Sequence, residues 1–367
     1  MFVNTRRGFF RSFATAVAAG VCLLVGFGSV GAQEYPADEA ELYEKAKAEG
    51  TVVWYEAAPL EPMQQLASKF EAKFPGVKVQ LLRITGPQQY QRFMQETLAG
   101  QHIADMLLLS DQPLMRQLIA DGHIAEWEVP TADRFPESFR MDDHAFAPYT
   151  TDIAIVYNSD RVSEEEAEIL GSSWKGVLDP RFKERFAIVK RNCGTCYAAV
   201  HMFLDPAMAD EYGESFLQAV ADQKPTIYAD NPVALDRVLA GEHDFVFWLW
   251  EGIAYTKWQE GAPVRWVRPT PTPEFGNSWQ AVSAHAPHPH AARLFHNWLL
   301  SDEGAVALQE VYGASTTLGG APDTRTVSQE PWYEPIQQRY DVDWERWASD
   351  YTTDMQRWQA IQDTANQ

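Results

Sequence analysis

The sequence is poor in cysteine, poor in basic side chains and, beyond its first 32 residues, without a long apolar run. Its three cysteines are Cys22, Cys193 and Cys196 among 367 residues. That is too few for a small disulfide-stapled scaffold. Thirty Lys and Arg face 51 Asp and Glu, a formal net charge of −21. A nucleic-acid binder neutralises phosphates with clustered cations, and this balance excludes that class. No later segment approaches 18 uninterrupted apolar residues, so no membrane-spanning helix is expected there. No nucleophile–base motif and no phosphate-cradling glycine loop is present, so neither an enzyme nor a bound cofactor is expected. Internal repeats and low-complexity tracts are missing as well.

What is present is a large apolar supply. Hydrophobic residues make up 46% of the chain, with 13 Trp, enough for substantial buried cores and against disorder. The length suggests two or three domains at about 150 residues each. Residues 1–32 carry Arg6, Arg7 and Arg11, no acid, an apolar middle from about Ala14 to Phe27, and Val30-Gly31-Ala32. A basic front, short apolar centre and small residues before a cut describe an export signal, and Thr5-Arg6-Arg7-Gly8-Phe9-Phe10-Arg11 resembles the twin-arginine type. Removing it takes away three arginines and leaves about −24. The expected location is therefore the periplasm, where the close pair Cys193 and Cys196 reads as a local disulfide.

From residue 38 the pattern alternates helix and strand. Met63, Leu66, Phe70 and Phe74 follow helical spacing and Pro75-Gly76 stops it. Short apolar strands at Thr51–Glu56, Val77–Ile84 and Ala104–Leu109 are separated by such helices, which predicts an α/β fold with a mainly parallel sheet. A β-rich run near Thr151–Asn158 leads into a second set of strand and helix signals, and Pro269–Pro273 reads as a return crossing. The expected organisation is a first lobe over 33–150 and a second over 151–268. Residues 269–367 would return and supply C-terminal helices packed largely on the first lobe.

Ligands in open α/β sheets sit where loops leave the carboxyl ends of strands. That rule nominates Tyr55-Glu56, Thr85-Gly86 and Ser110-Asp111, and the loop Asn192-Cys193-Gly194-Thr195 before a helix. Tyr149 and Thr150 fall at the lobe junction. Arg83 and Arg191 stand near two of these loops and suit an anion clamp beside helix N-termini; plain helix capping and solvation is the competing reading. Trp248, Trp250 and Trp279 suit stacking on a ligand or ordinary core packing, and on a strand Trp248 and Trp250 would point the same way. His285, His288 and His290 have a metal-like spacing but read as solvated surface.

Several segments, in order, resemble a known family. Glu49-Gly50-Thr51-Val52-Val53-Trp54-Tyr55, Phe70 through Val79, Ala154-Ile155-Val156-Tyr157-Asn158, Gly261-Ala262-Pro263-Val264, Ala286 through Ala292 and Trp298 through Gly304 are similar to periplasmic solute-binding proteins of ABC importers. The resemblance is to the type II group that includes the ferric-iron-binding proteins, and it covers most of residues 45–315. It implies a two-lobed fold with a hinge, a small-molecule ligand, an inner-membrane permease as partner, a monomer and no enzymatic activity.

The ferric members' adjacent tyrosine pair is not matched, since the corresponding segment reads Trp248-Leu249-Trp250-Glu251-Gly252-Ile253-Ala254-Tyr255. The reading preferred on sequence is thus a small organic anion, a phosphate ester, phosphonate or carboxylate. Ferric iron held by Tyr55, Tyr149, Tyr255, Glu56 and Glu251 is the alternative, and an exported enzyme on the same scaffold the alternative of another class.

Overall fold

The computed structural model describes residues 38–84, 87–189, 194–274 and 278–365. In chain order the elements are α1 (Glu39–Glu49), β1 (Thr51–Glu56), α2 (Leu60–Lys73), β2 (Lys78–Arg83), α3 (Pro87–Leu98), β3 (Met106–Leu109), α4 (Gln112–Ala120), β4 (Arg140–Met141), β5 (Ala145–Phe146), β6 (Tyr149–Thr150) and β7 (Ile153–Asn158). They continue with α5 (Glu164–Ser172), β8 (Phe186–Val189), α6 (Gly194–Phe203), α7 (Glu214–Asp222), β9 (Thr226–Tyr228), α8 (Asn231–Leu239), β10 (Phe245–Trp250), α9 (Glu251–Gln259) and β11 (Val264–Val267). The last are β12 (Trp279–Val282), α10 (Pro289–Leu299), α11 (Asp302–Tyr312), β13 (Ser315–Thr316) and α12 (Trp344–Ala365). The expected export signal, Cys193 and residues 275–277 lie outside the described residues, and so does the expected Cys193–Cys196 pairing. Among the described residues no helix is long and apolar enough to cross a membrane.

Two sheets result. The first has the order β2-β1-β3-β12-β5-β4 and the second β11-β7-β10-β8-β9. β1 pairs in parallel with β2 and β3, as the helical crossovers require. The expectation of mainly parallel sheets is corrected by the strands that arrive without a helix. β12 runs antiparallel to β3 and β5, and β7 antiparallel to β10 and β11. Both belong to segments that pass from one sheet to the other.

Alternation along β1 divides the first core. Trp54 meets Phe295 of α10 edge-on, ring centres 5.1 Å apart, while Tyr55 faces the opposite layer with Phe93 and Leu107. In β10 the alternation breaks, because the pairing register shifts between Val246 and Leu249. Phe247 and Trp248 consequently both enter one core. Trp248 is fully buried there against Trp358 of α12, 5.5 Å between rings. α10 and α11 pack on the first sheet, but α12 lies against α6 and α7 of the second. The C-terminal helices are therefore divided between the sheets, because Trp358 is drawn into the second core.

Candidate functional site

A cavity of about 210 Å3 opens between the sheets, lined by Ala57, Ala58, Pro59, Leu108, Ser110, Tyr149, Thr151, Asn231, Trp250, Ser278 and Tyr312. Residues 57–59 form the turn from β1 into α2, Ser110 follows β3, and Ser278 precedes β12. Asn231 opens α8 and Trp250 ends β10, so the second sheet supplies the facing wall. Tyr149, Thr151 and Tyr312 stand between them. A larger recess of about 370 Å3 lies among Glu137, Phe139, Arg339, Tyr340 and Trp344. It holds none of the residues nominated from sequence, and its guanidinium, Arg339, is engaged by buried Asp152 at 3.2 Å.

Two phenols dominate the smaller cavity. The Tyr149 ring, 4% exposed, meets Tyr312 edge-on with ring centres 5.5 Å apart. Burial pushes both hydroxyls well above their ordinary pKa of 10, and the nearby Glu56 carboxylate adds to the shift. Trp250 lies tilted against Tyr312 at 5.6 Å. Glu56 is fully buried, and its Oε1 accepts from the N–H groups of Ala57 and Ala58, each at 2.9 Å. It thereby closes the turn that forms the cavity floor. Desolvation raises its pKa from 4.5 to about 7, against the lowering effect of those N–H groups.

Three helices, α2, α8 and α9, begin at the cavity wall. Their first residues follow Pro59, Asp230 and Trp250, and neither Pro59 nor Trp250 supplies a side-chain cap. Helix starts present N–H groups and the positive end of the macrodipole. Arg83 stands nearby, its Nε donating to the Ala58 carbonyl at 2.9 Å.

Of the residues nominated from sequence, the structure thus gathers Glu56, Arg83, Ser110, Tyr149 and Trp250 at one place. Others are corrected. Tyr55 points to the far layer, its hydroxyl donating to Glu96 at 2.9 Å. Asp111 caps α4, accepting from Leu114 N–H at 3.1 Å. The Thr150 hydroxyl is tied to Asp152 at 2.9 Å. Glu251 is buried between Arg268 at 2.5 Å and Arg325 at 2.9 Å, and Ser315 donates to it. Tyr255 lies in the core behind it, stacked on Trp258. Trp279 is fully buried in the first sheet. Trp248 and Trp250 do not share a fate, because of the register shift in β10. Thr85, Gly86, Arg191 and Asn192 fall outside the described residues; Gly194 and Thr195 open α6, and the Thr195 side chain is likewise outside them. Tyr312 was missed, since it ends a helix with no motif around it; so were Asn231 and Ser278.

The match to known proteins rests on more than this cavity. Residues 51–313 match the model of a family described as bacterial extracellular solute-binding protein. The chain belongs to that family. No curated protein sequence matches it. Among solved structures, a Bordetella ferric binding protein is similar with 18% identity and a TM-score of 0.67, covering 85% of this chain and 98% of that one. The Trichodesmium protein FutA (IdiA), in complex with iron and citrate ligands, shows 16% identity and a TM-score of 0.65 over 85% and 99%. The substrate-binding protein of an ABC transporter from Agrobacterium tumefaciens shows 17% and 0.60 over 85% and 94%. These likenesses establish the type II periplasmic binding protein fold for this solute-binding protein. Membership of this family is membership of a non-enzymatic one.

Proposed function

We propose that this solute-binding protein works in the periplasm as the receptor of an ABC importer, exported through residues 1–32, and that its cargo is ferric iron carried with a chelating anion. The single observation behind the cargo is the phenol pair, Tyr149 against Tyr312, in a cavity whose lining, among the described residues, holds oxygen donors and no cationic side chain. A hard trivalent ion prefers phenolate and carboxylate oxygens. Among the described residues no group of three His, Cys, Asp or Glu could hold a metal, so the tyrosines and an exogenous anion must supply the shell. The starts of α2, α8 and α9 suit that anion. The ferric binding protein of Bordetella and the iron- and citrate-bound Trichodesmium protein support the same reading.

The lobes would close about the segments near β6 and β13, because a cargo touching both walls is held fully only in the closed state. An organic anion without iron is the second reading. The observation favouring it is the same trio of helix starts beside the apolar face of Trp250, with Arg83 on the rim.

Spectrophotometric titration separates the two. Ferric citrate should give a visible tyrosinate–iron band that Tyr149→Phe and Tyr312→Phe each abolish. Because both phenols must lose their protons, binding should weaken as pH falls. A thermal shift with a phosphonate or carboxylate, and no band with ferric citrate, would favour the second reading.

A further inference from the structure

The histidines at 285, 288 and 290 are divided by the fold. The His288 N–H and Nδ1 both meet Asp105, at 2.7 and 2.9 Å. His290 Nδ1 meets Glu49 at 2.6 Å. His285 is left exposed, and its ring centre lies 4.6 Å from that of exposed His102 with the planes inclined by 40°. The backbone fixes this neighbourhood. His102 precedes β3 and His285 follows β12, where Met106 and Val282 are antiparallel partners. Ser283 N–H donates to the Asp105 carbonyl at 2.9 Å, and Ala284 N–H to the His123 carbonyl at 2.9 Å. The Ser283 hydroxyl accepts from His285 N–H at 3.3 Å.

We propose that His102 and His285 form a two-imidazole site for a divalent transition metal, on the first sheet and separate from the cleft. Two imidazoles bound at about 2.0–2.1 Å hold their ring centres roughly 4.5 Å apart when they are at right angles, and roughly 5.1 Å at a tetrahedral angle. The 4.6 Å separation brings both rings within reach of one divalent ion, and imidazole ligands suit Ni2+, Cu2+ or Zn2+. Among the described residues no third His, Cys, Asp or Glu completes the site. Water fills the remaining positions, and the affinity is moderate. Imidazole nitrogens suit these borderline ions, whereas the oxygen-lined cleft suits a hard one, so the two sites take different metals.

Calorimetric titration of the untagged mature protein with NiCl2 at pH 7.5 tests this. One Ni2+ per chain with micromolar affinity is expected, weakened at least tenfold by His102→Ala or by His285→Ala. Both side chains are exposed, and unchanged thermal unfolding in the absence of metal verifies the fold. His290→Ala and Tyr149→Phe should leave the binding in place. Absence of stoichiometric Ni2+ binding, its survival in both histidine variants, or its loss with Tyr149→Phe would overturn the assignment.

Discussion

Glu56 shows how one side chain shapes the turn beside the cavity. Its carboxyl is buried, tied to two N–H groups and set beneath the phenols. The desolvation that raises its pKa from 4.5 to about 7 is a cost carried by the folded state. The sign follows from linkage: the folded protein holds this proton more tightly than the unfolded chain, so its contribution is complete below pH 4.5 and is lost as pH rises to 7. Glu56→Gln keeps an acceptor for Ala57 and Ala58 and removes the titration. Urea denaturation should show the variant gaining on wild type between pH 5 and pH 8, by about 2 kcal/mol at about 1.4 kcal/mol per pKa unit. An unchanged difference across that range would show that the carboxyl titrates normally. Glu56 and Tyr149 were nominated from sequence because strand ends and lobe junctions are where ligands of α/β folds sit, and the structure places both at the cavity. Tyr55 was misread because it neighbours Glu56 in sequence yet alternates to the other face.

At the scale of elements, the start of α9 illustrates what sequence could not supply. Glu251 opens α9, where Arg268 and Arg325 enclose it, each with 4% or less of its side chain exposed. Arg325 comes from a segment 74 residues away, and no local pattern announces that meeting. Removing one cation leaves a buried carboxylate short of charge. Arg325→Met should therefore destabilise by about 3–5 kcal/mol and disturb the neighbouring Trp250 wall, readable as a lower urea midpoint together with weaker cargo binding. α12 is a second case. Nothing in its own sequence names its partner, yet Trp358 fills the core against Trp248. Trp358→Ala should cost about 3–5 kcal/mol, and a loss below about 1 kcal/mol would mean that the helix is only loosely seated. The strands and helices of the first 120 residues were legible because caps and stops mark them, such as Asp38 before α1 and Gly50 after it. β4, β5, β6 and β13, two residues each, have too few positions to show alternation.

For the whole molecule, acid stability is set by opposing groups. Burial lowers His201 and His296 from 6.5 to about 4, with Arg346 adding to the shift at His201. A histidine held neutral in the fold contributes stability that is fully present above pH 6.5 and is lost as pH falls toward 4. Glu56 acts in the opposite direction over 4.5–7, but two histidines outweigh one carboxyl, so stability should decline on acidification. Among the described residues His201 has no hydrogen-bond partner for either ring nitrogen, and it lies among the rings of Tyr197, Tyr340 and Trp347. His201→Phe keeps a ring there and removes the charge, and it should exceed wild type in urea midpoint at pH 5 with the gap closing above pH 7.

The family, the fold and one wall of the site could be traced from the chain because its signatures run in order from residue 45 to 315. The cavity required both sheets in place, since Tyr149 and Tyr312 are 163 positions apart and meet only through folding. Crystals of the mature protein grown with ferric citrate, measured at the iron absorption edge, examine that meeting most directly. A single anomalous peak within about 2 Å of the hydroxyl oxygens of Tyr149 and Tyr312, the distance expected of a metal–oxygen bond, is the predicted result. Iron elsewhere, or an organic anion alone occupying the cavity, would contradict the assignment of these two phenols as the cargo's ligands.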